Sequence, residues 1–224
     1  MLFRSTVIAA CMAVALTGCR ARQTGSLRDQ YFRGNLAAAE SASIKLLEKP
    51  KGDANVVRLD QAVLQLLDGR PAEAEQNLRL VRDQFDHLQQ KSLAEDVVSL
   101  GTDDTKRAYA GEDYERILIR AFLSLSSLFS GSGDASAYAL QVVDEQQRVL
   151  AKHYSNDNQA DDFKRVAIGP YLRAAILEER FTESDDVRRS RLQVVEWEPQ
   201  FEAGRIDQAR AQEGNHSQPG HGVL

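Results

Sequence analysis

The chain contains 224 residues, of which 28 are basic and 33 are acidic, so its net charge at pH 7 is −5. A protein that binds nucleic acid needs a concentrated basic face, but the densest basic group, at 188–191, directly follows acidic residues at 183–186. We therefore expect no nucleic-acid partner and predict a solvated helix face of mixed charge in this region.

The first predicted element is a secretory signal peptide. Arg4 supplies a positive charge, and residues 7–16 form an apolar segment that is too short for a stable membrane span. The segment ends in Leu-Thr-Gly-Cys at 16–19, which resembles a bacterial lipobox, where a peptidase cuts before a lipidated cysteine. We predict a lipoprotein signal peptide at 1–18 and lipidation of Cys19. An ordinary signal peptide with a chance cysteine is the alternative.

Lipidation of Cys19 would anchor the protein in the cell envelope, facing the periplasm. Arg20 follows the cysteine at a position where an acidic residue is typical of retention in the inner membrane, so we expect the outer membrane. Cys11 is removed with the signal peptide, which leaves no cysteine for a disulfide or a metal site. An exported domain of this kind depends on its hydrophobic core alone.

The mature chain divides by composition into three parts. Residues 19–26 are mainly polar and predict a tether, residues 27–212 predict one helical domain, and residues 213–224 predict a disordered tail. Glycine, proline and short polar runs separate successive helices of the domain. No strand is predicted.

A buried central helix is predicted at the middle of the domain. From Ile117 to Phe129, apolar residues cover nearly the whole circumference of a helix, which is typical of a helix buried among others or of a membrane span. A span needs about 20 residues with few charges, and Arg116 and Arg120 interrupt this stretch. The pattern therefore favours a core helix against which amphipathic neighbours pack.

Two further predictions concern the elements beside the central helix. Residues 92–104 predict a short helix followed by a loop, in which Thr102 or Asp103 caps the central helix. Gly169-Pro170 is expected to kink or restart the helix predicted at 163–181.

A weak internal repeat accompanies these helices. Gly34, Gly69 and Gly133 each follow an apolar helical run and precede an alanine-containing segment. The first two glycines lie 35 residues apart, which resembles the helix–turn–helix period of tetratricopeptide repeats. We predict an all-α fold of stacked helical hairpins, a tetratricopeptide-like α-solenoid with no sheet. A non-repeat bundle of alanine-rich hairpins is the alternative.

One segment resembles a known protein group. The run YAGEDYER at 109–116 precedes a long apolar helix, then Gly133-Asp134 and an alanine-containing helix. This order is similar to that of uncharacterised bacterial tetratricopeptide-repeat-like lipoproteins, over 27–147 as a whole and most specifically over 109–147. Because that group has no settled activity, the resemblance implies a fold and an envelope location but no mechanism.

Three carboxylates crowd the predicted start of the central helix: Glu112, Asp113 and Glu115. Paired carboxylates serve as acid and base or bind a cation, whereas acids in a first helical turn interact with the helix dipole. We favour the structural interpretation because no histidine or nucleophile lies in the motif. The histidines lack a metal-binding spacing and no serine lies in a G-x-S-x-G motif. We therefore expect no catalytic residue, no metal, no cofactor and no enzymatic activity.

The sequence leaves an interaction protein as the best hypothesis. Aromatic side chains anchor interfaces, and the candidate partner-binding residues are Tyr109, Glu112, Asp113, Tyr114, Glu115 and Tyr138. Core packing is the alternative for the three tyrosines, and we favour it. We predict a lipid-anchored periplasmic scaffold that binds a protein or peptide of an envelope complex. The alternatives are a cell-wall enzyme or enzyme activator that uses the acidic cluster at 112–115, and a small-molecule binding module near Tyr114 and Phe122.

Overall fold

The computed structural model describes residues 19–49, 54–98, 109–153, 165–180 and 184–213. The predicted signal peptide at 1–18 and all but the first residue of the predicted tail at 213–224 lie outside these ranges. Within them, all regular secondary structure is helical, which confirms the all-α class. The helices are α1 (Cys19–Phe32), α2 (Leu36–Glu48), α3 (Ala54–Leu67), α4 (Pro71–Val98), α5 (Asp113–Ser130), α6 (Ala135–His153), α7 (Ile168–Glu179), α8 (Ser184–Trp197) and α9 (Glu202–Gln212).

Two helices are longer than the sequence predicts. Helix α1 begins at Cys19, so the predicted tether at 19–26 is helical, since its arginine, alanine and glutamine residues are good helix formers. Helix α4 runs without interruption to Val98, so the short helix predicted from residue 92 is its last part. After Pro71 this helix contains no glycine or proline that would end it.

The turns between α1 and α2 and between α3 and α4 have the same backbone geometry. Gly34 and Gly69 both adopt a left-handed φ, of +75° and +72°. In each turn, the N–H of the residue after the glycine donates to the carbonyl five residues before it, at 2.9 Å and 2.8 Å respectively. Because glycine adopts this φ without steric cost, each helix ends abruptly and the next begins two residues later.

Buried side chains recur at the interval that separates these turns. The pairs that lie 35 residues apart and are buried in both copies are Leu27 with Ala62, Ala39 with Ala74, and Ser43 with Leu78. Ala39 and Ala74 are both fully buried. The interval that suggested a repeat in the sequence is therefore repeated in turn geometry and in burial.

The described helices form two compact units that divide between Asn77 and Leu78. In the first unit, α1 packs against α2 and α2 packs against α3. In the second, each helix from α5 to α9 packs against the next one in the chain. The sequence predicted one domain over 27–212. The boundary lies inside α4, where no breaker residue marks it.

Arg70 ties the α3–α4 turn of the first unit to α2. Its guanidinium forms ion pairs with Glu40 at 2.6 Å, Asp68 at 2.8 Å and Glu73 at 2.9 Å. The hydrogen bond to Glu40 raises the pKa of Arg70. The arginine that follows the turn glycine thus holds three carboxylates around the turn.

Apolar side chains of α5, α6 and α7 build the core of the second unit. One cluster joins α5 to α6 and consists of Ile117, Ala121, Val142 and Val149. A second joins α6 to α7 and consists of Ala135, Ala139, Leu172 and Ile176, with Leu125 and Leu128 of α5 packed against it. One flank of α5 is therefore covered by α6 and α7.

The start of α7 is fixed by two contacts with α6. The side-chain amide of Gln146 donates to the carbonyl of Val166 at 3.2 Å and accepts from its N–H at 2.7 Å. Gly169 approaches α6 so closely that an added Cβ would meet Val142 at 2.8 Å. Gly169-Pro170 lies in the first turn of α7. Of the two predicted outcomes, a kink or a restart, the structure therefore shows a helix start at this pair.

Candidate functional site

Helix α5 begins later in the chain than predicted. Its N-cap is Glu112, whereas Thr102 and Asp103, the predicted caps, lie outside the described residues. Gly111 precedes the cap with a φ of +78°, and a Cβ added to it would meet the ring of Phe85 on α4 at 2.5 Å. The close contact between Gly111 and α4 therefore determines where the central helix starts.

The acidic residues at this start make local contacts. Glu115 accepts a hydrogen bond from the backbone N–H of Glu112 at 2.9 Å and another from the hydroxyl of Tyr109. Asp113 forms an ion pair with Arg116, one turn further along the helix. Asp113 and Glu115 also lie in the first turn, where carboxylates interact favourably with the helix dipole. These contacts support the structural interpretation of the acidic cluster.

The three tyrosines of the predicted partner-binding set have different surroundings. Tyr114 is 61% exposed. The Tyr109 ring packs edge-on against Phe85 at 5.8 Å between ring centroids, and desolvation together with the Glu115 hydrogen bond raises the pKa of Tyr109. Tyr138 is buried, and its hydroxyl accepts a hydrogen bond from Arg79 at 2.6 Å. Tyr138 therefore packs in the core and is not part of a partner-binding surface.

Two arginines of α5 form a buried ionic network with Glu145 of α6. Arg116 and Arg120 lie one turn apart on the helix, and both side chains are almost fully buried. Arg116 donates to Glu145 at 3.0 Å, and a guanidinium nitrogen of Arg120 lies 3.5 Å from the same carboxylate. Arg148 pairs with Glu145 from the exposed side at 2.8 Å. The Glu145 side chain is 1% exposed, so these three arginines compensate the cost of burying its carboxylate.

The same arginines satisfy groups on other elements. Arg120 donates twice to Asp86 of α4, at 2.7 Å and 2.9 Å. It also donates to the backbone carbonyl of Arg116 at 3.0 Å, and Arg116 donates to the carbonyl of Gly111 at 3.1 Å. The network thus connects α4, α5 and α6 with Gly111, the residue just before the N-cap of α5. This arrangement fixes the rotation of α5 about its own axis, because both arginines must point inward.

With the arginines inward, one arc of α5 remains open to solvent. Tyr114, Leu118 and Phe129 are 61%, 42% and 68% exposed. Phe122 and Leu125 are half-buried, and Leu125 also packs against the α6–α7 cluster. These five residues follow at steps of four, four, three and four, so they lie within an arc of about 80° on a helix with 3.6 residues per turn. We call this set the α5 arc.

The α5 arc contains no charged side chain, and its only polar atom is the Tyr114 hydroxyl. Buried residues border the arc: Ile117 and Ala121 pack into the α5–α6 cluster on one side, and Ile119 and Ser126 are buried on the other side. A contiguous exposed apolar patch on a protein surface is a marker of an interaction site. The arc is therefore the candidate functional site of the second unit.

The predicted site residues are only partly brought together. Residues Tyr109, Glu112, Asp113, Tyr114 and Glu115 lie together at the start of α5, but only Tyr114 belongs to the α5 arc. The sequence treated Arg116 and Arg120 as interruptions of an apolar stretch and missed their buried pairing with Glu145. Their spacing of four residues, which puts both on one helix face, is the signal that indicates a shared inward partner.

Comparison of the chain with protein-family models, with curated proteins and with solved structures found no match. Among the helices of the described ranges, none is both long enough and apolar enough to span a bilayer. In the same ranges, no three histidine, cysteine, aspartate or glutamate side chains are grouped so that they could hold a metal ion.

Proposed function

We propose that this protein is a lipid-anchored helical scaffold of the cell envelope that binds a protein partner through the α5 arc. The observation that carries the proposal is the arc itself, an apolar surface that stays exposed between buried positions on the same helix. An exposed aromatic and aliphatic surface of this kind is unfavourable in water and gains free energy when a partner covers it.

The anchor rests on the N-terminal sequence. The Leu-Thr-Gly-Cys motif at 16–19 follows an apolar segment of signal-peptide length. Acyl chains on Cys19 would hold the scaffold at a membrane surface, periplasm-facing and in the outer membrane, with its helices free to meet an envelope partner.

The repeat interval supports a tetratricopeptide-like arrangement of hairpins. The turns at Gly34 and Gly69 share their φ angles and their hydrogen bonds. The hairpin of α5 and α6 turns at Gly131, which also has a left-handed φ, of +71°. In a solenoid of hairpins, the stacked repeats together create an extended binding surface.

The contacts of the acidic residues at 112–115 favour the scaffold over the alternative of a cell-wall enzyme. Asp113 is paired with Arg116, and Glu115 is hydrogen bonded to Tyr109 and to the Glu112 backbone. A pair of catalytic carboxylates needs different surroundings, one free to hold a proton and the other free to act on water. Both side chains here serve the start of α5 instead.

The test is affinity capture of the full chain from detergent-solubilised membranes. Leu118→Gln alters the α5 arc, and Leu192→Gln on α8 is its matched control, because the two leucines are 42% and 40% exposed. We expect the unaltered chain and the Leu192 variant to retain one partner in stoichiometric amount and the Leu118 variant to lose at least nine-tenths of it. Equal recovery by both variants, or no partner with any of them, would contradict the proposal.

A further inference from the structure

The structure also indicates what kind of surface covers the α5 arc. We infer that the occupant is a single amphipathic α-helix of a partner protein, and this inference rests on the proposed function. The occupant is then neither an extended peptide nor a second copy of this chain. Three features of the arc carry this inference: its spacing, its lack of hydrogen-bonding groups and its area.

The spacing of the arc matches the contact stripe of one helix. From Tyr114 to Phe129 the arc extends for about 22 Å at 1.5 Å per residue. Tyr114 and Leu125 are eleven residues apart, and so are Leu118 and Phe129. An eleven-residue apolar repeat stays close to the 3.6-residue period of a straight helix and drifts only slightly. A second helix can therefore follow the arc along its whole length, with its own apolar residues at three- and four-residue steps.

The arc offers almost nothing to the backbone of an extended peptide. An extended strand exposes N–H and C=O groups that must find partners when they leave water. The five side chains provide one hydroxyl, at Tyr114, and the described residues contain no strand whose edge could pair with a peptide. A helix satisfies its own backbone and presents only side chains. Its burial on an apolar arc therefore leaves none of its backbone N–H and C=O groups unpaired.

The area of the arc is too small for a stable homodimer. Aromatic side chains have a surface of roughly 200 Å², so Tyr114 and Phe129, at 61% and 68% exposure, each offer on the order of 130 Å². With the remaining three side chains the arc presents on the order of 400 Å², about half of the roughly 800 Å² per partner of a standard interface.

The experiment is photo-crosslinking of the full chain in native membranes. A photoreactive amino acid replaces Leu118, Phe122 or Phe129 in turn, with replacement of Leu192 on α8 as the control. The crosslinked residues of the partner are mapped by mass spectrometry. The inference predicts that the attachment points in the partner shift by about four residues between the Leu118 and Phe122 probes and by about seven more at the Phe129 probe, about eleven residues in total. The Leu192 probe gives no such adduct.

The outcomes separate this inference from the proposed function. Adducts whose attachment points advance along one partner segment as an extended chain would leave the proposed function standing and overturn the helix. Adducts between two copies of this chain, or within one copy, would likewise overturn it. Absence of any adduct at all three α5 positions would contradict the proposed function and the inference together.

Discussion

Glu145 holds a negative charge inside the second unit between Arg116, Arg120 and Arg148. Removing one partner of a buried ion pair is costly because the remaining charges stay buried without compensation. Asp86 and Asp113 neutralise the outer sides of the two α5 arginines, but only Glu145 lies between them. The orientation of α5, and so the exposure of its arc, depends on this carboxylate.

Replacement of Glu145 by glutamine tests this dependence. We expect Glu145→Gln to lower the free energy of unfolding by about 3 kcal/mol, measured by urea denaturation at pH 7. Glu179→Gln, at an exposed position of α7, is the control and is expected to change the free energy by less than about 0.5 kcal/mol. A loss below about 1 kcal/mol for the Glu145 variant would show that the network is not a determinant of stability.

Asp60 makes the stability of the first unit depend on pH. Burial raises the pKa of Asp60 above 3.8, and Arg28, 3.9 Å away and largely exposed, only partly offsets this effect. A raised folded-state pKa means that the ionised carboxylate costs stability at pH values above that pKa. The cost disappears as the pH falls through the folded pKa toward 3.8, where the unfolded chain also takes up the proton.

Asp60→Asn should therefore raise the free energy of unfolding at pH 7, because the neutral amide avoids the cost of burying an ionised carboxylate. The gain should shrink as the pH approaches 4. Denaturation at several pH values measures both effects, and Asp29→Asn at an exposed position of α1 is the control. A gain that is independent of pH, or a loss at pH 7, would refute the role assigned to burial.

At the scale of the element, the start of α5 depends on a glycine for two separate reasons. Gly111 has a left-handed φ of +78° and lies against Phe85. Gly131, which ends the same helix, has a φ of +71°, but an added Cβ there meets nothing within 4 Å. The two glycines thus separate the conformational cost of a side chain from the cost of a steric clash.

We expect Gly131→Ala to lower the free energy of unfolding by about 1 kcal/mol, the cost of a left-handed residue that is not glycine. Gly111→Ala should cost about 3 kcal/mol, because the Phe85 ring must also move. Parallel urea titrations of the two variants measure the difference. Equal losses would mean that the contact with Phe85 does not fix the start of the helix.

The element scale also shows what the sequence can predict. The apolar residues from Ile117 to Phe129 correctly indicate a helix packed among others, because burial on several sides requires apolar residues on several sides. The pattern does not show which arc stays open. That choice follows from Arg116 and Arg120, whose buried partners Glu145 and Asp86 lie far away in the sequence, and no local pattern reports such pairing.

Helix boundaries were predictable only where a local signal exists. Gly34 and Gly69 mark their turns, and the structure has a turn at each. The start of α5 was placed too early because Thr102 and Asp103 are good capping residues by type, whereas Gly111 is selected by its contact with Phe85. The sequence left Tyr138 open between core packing and partner binding, because a tyrosine at helical spacing does not reveal that Arg79 covers its hydroxyl.

For the whole molecule, the proposal combines an anchor with a binding surface. The anchor makes a direct prediction: the mature chain should begin at Cys19 and carry acyl chains on that residue. Intact-mass spectrometry of protein purified from membranes measures this. An N-terminus elsewhere, or an unmodified Cys19 in exported protein, would remove the anchor and leave the arc to be explained in a protein that is not held at the membrane.

The binding surface is tested most directly by its accessibility to a labelling reagent in intact envelopes. The chain contains only Cys11 and Cys19, so under the proposed processing no free thiol remains, and a cysteine introduced at Leu118 or at Leu192 can be labelled alone. The unaltered chain reports any background from Cys19. In purified protein, both introduced thiols should react with a maleimide at similar rates, because the two positions are equally exposed.

In intact envelopes, the account predicts that the thiol at position 118 reacts at least fivefold more slowly than in purified protein, while the thiol at position 192 keeps its rate. That result would place a partner over the α5 arc. Equal rates for both thiols in envelopes and in purified protein would contradict the central claim that this arc binds a partner.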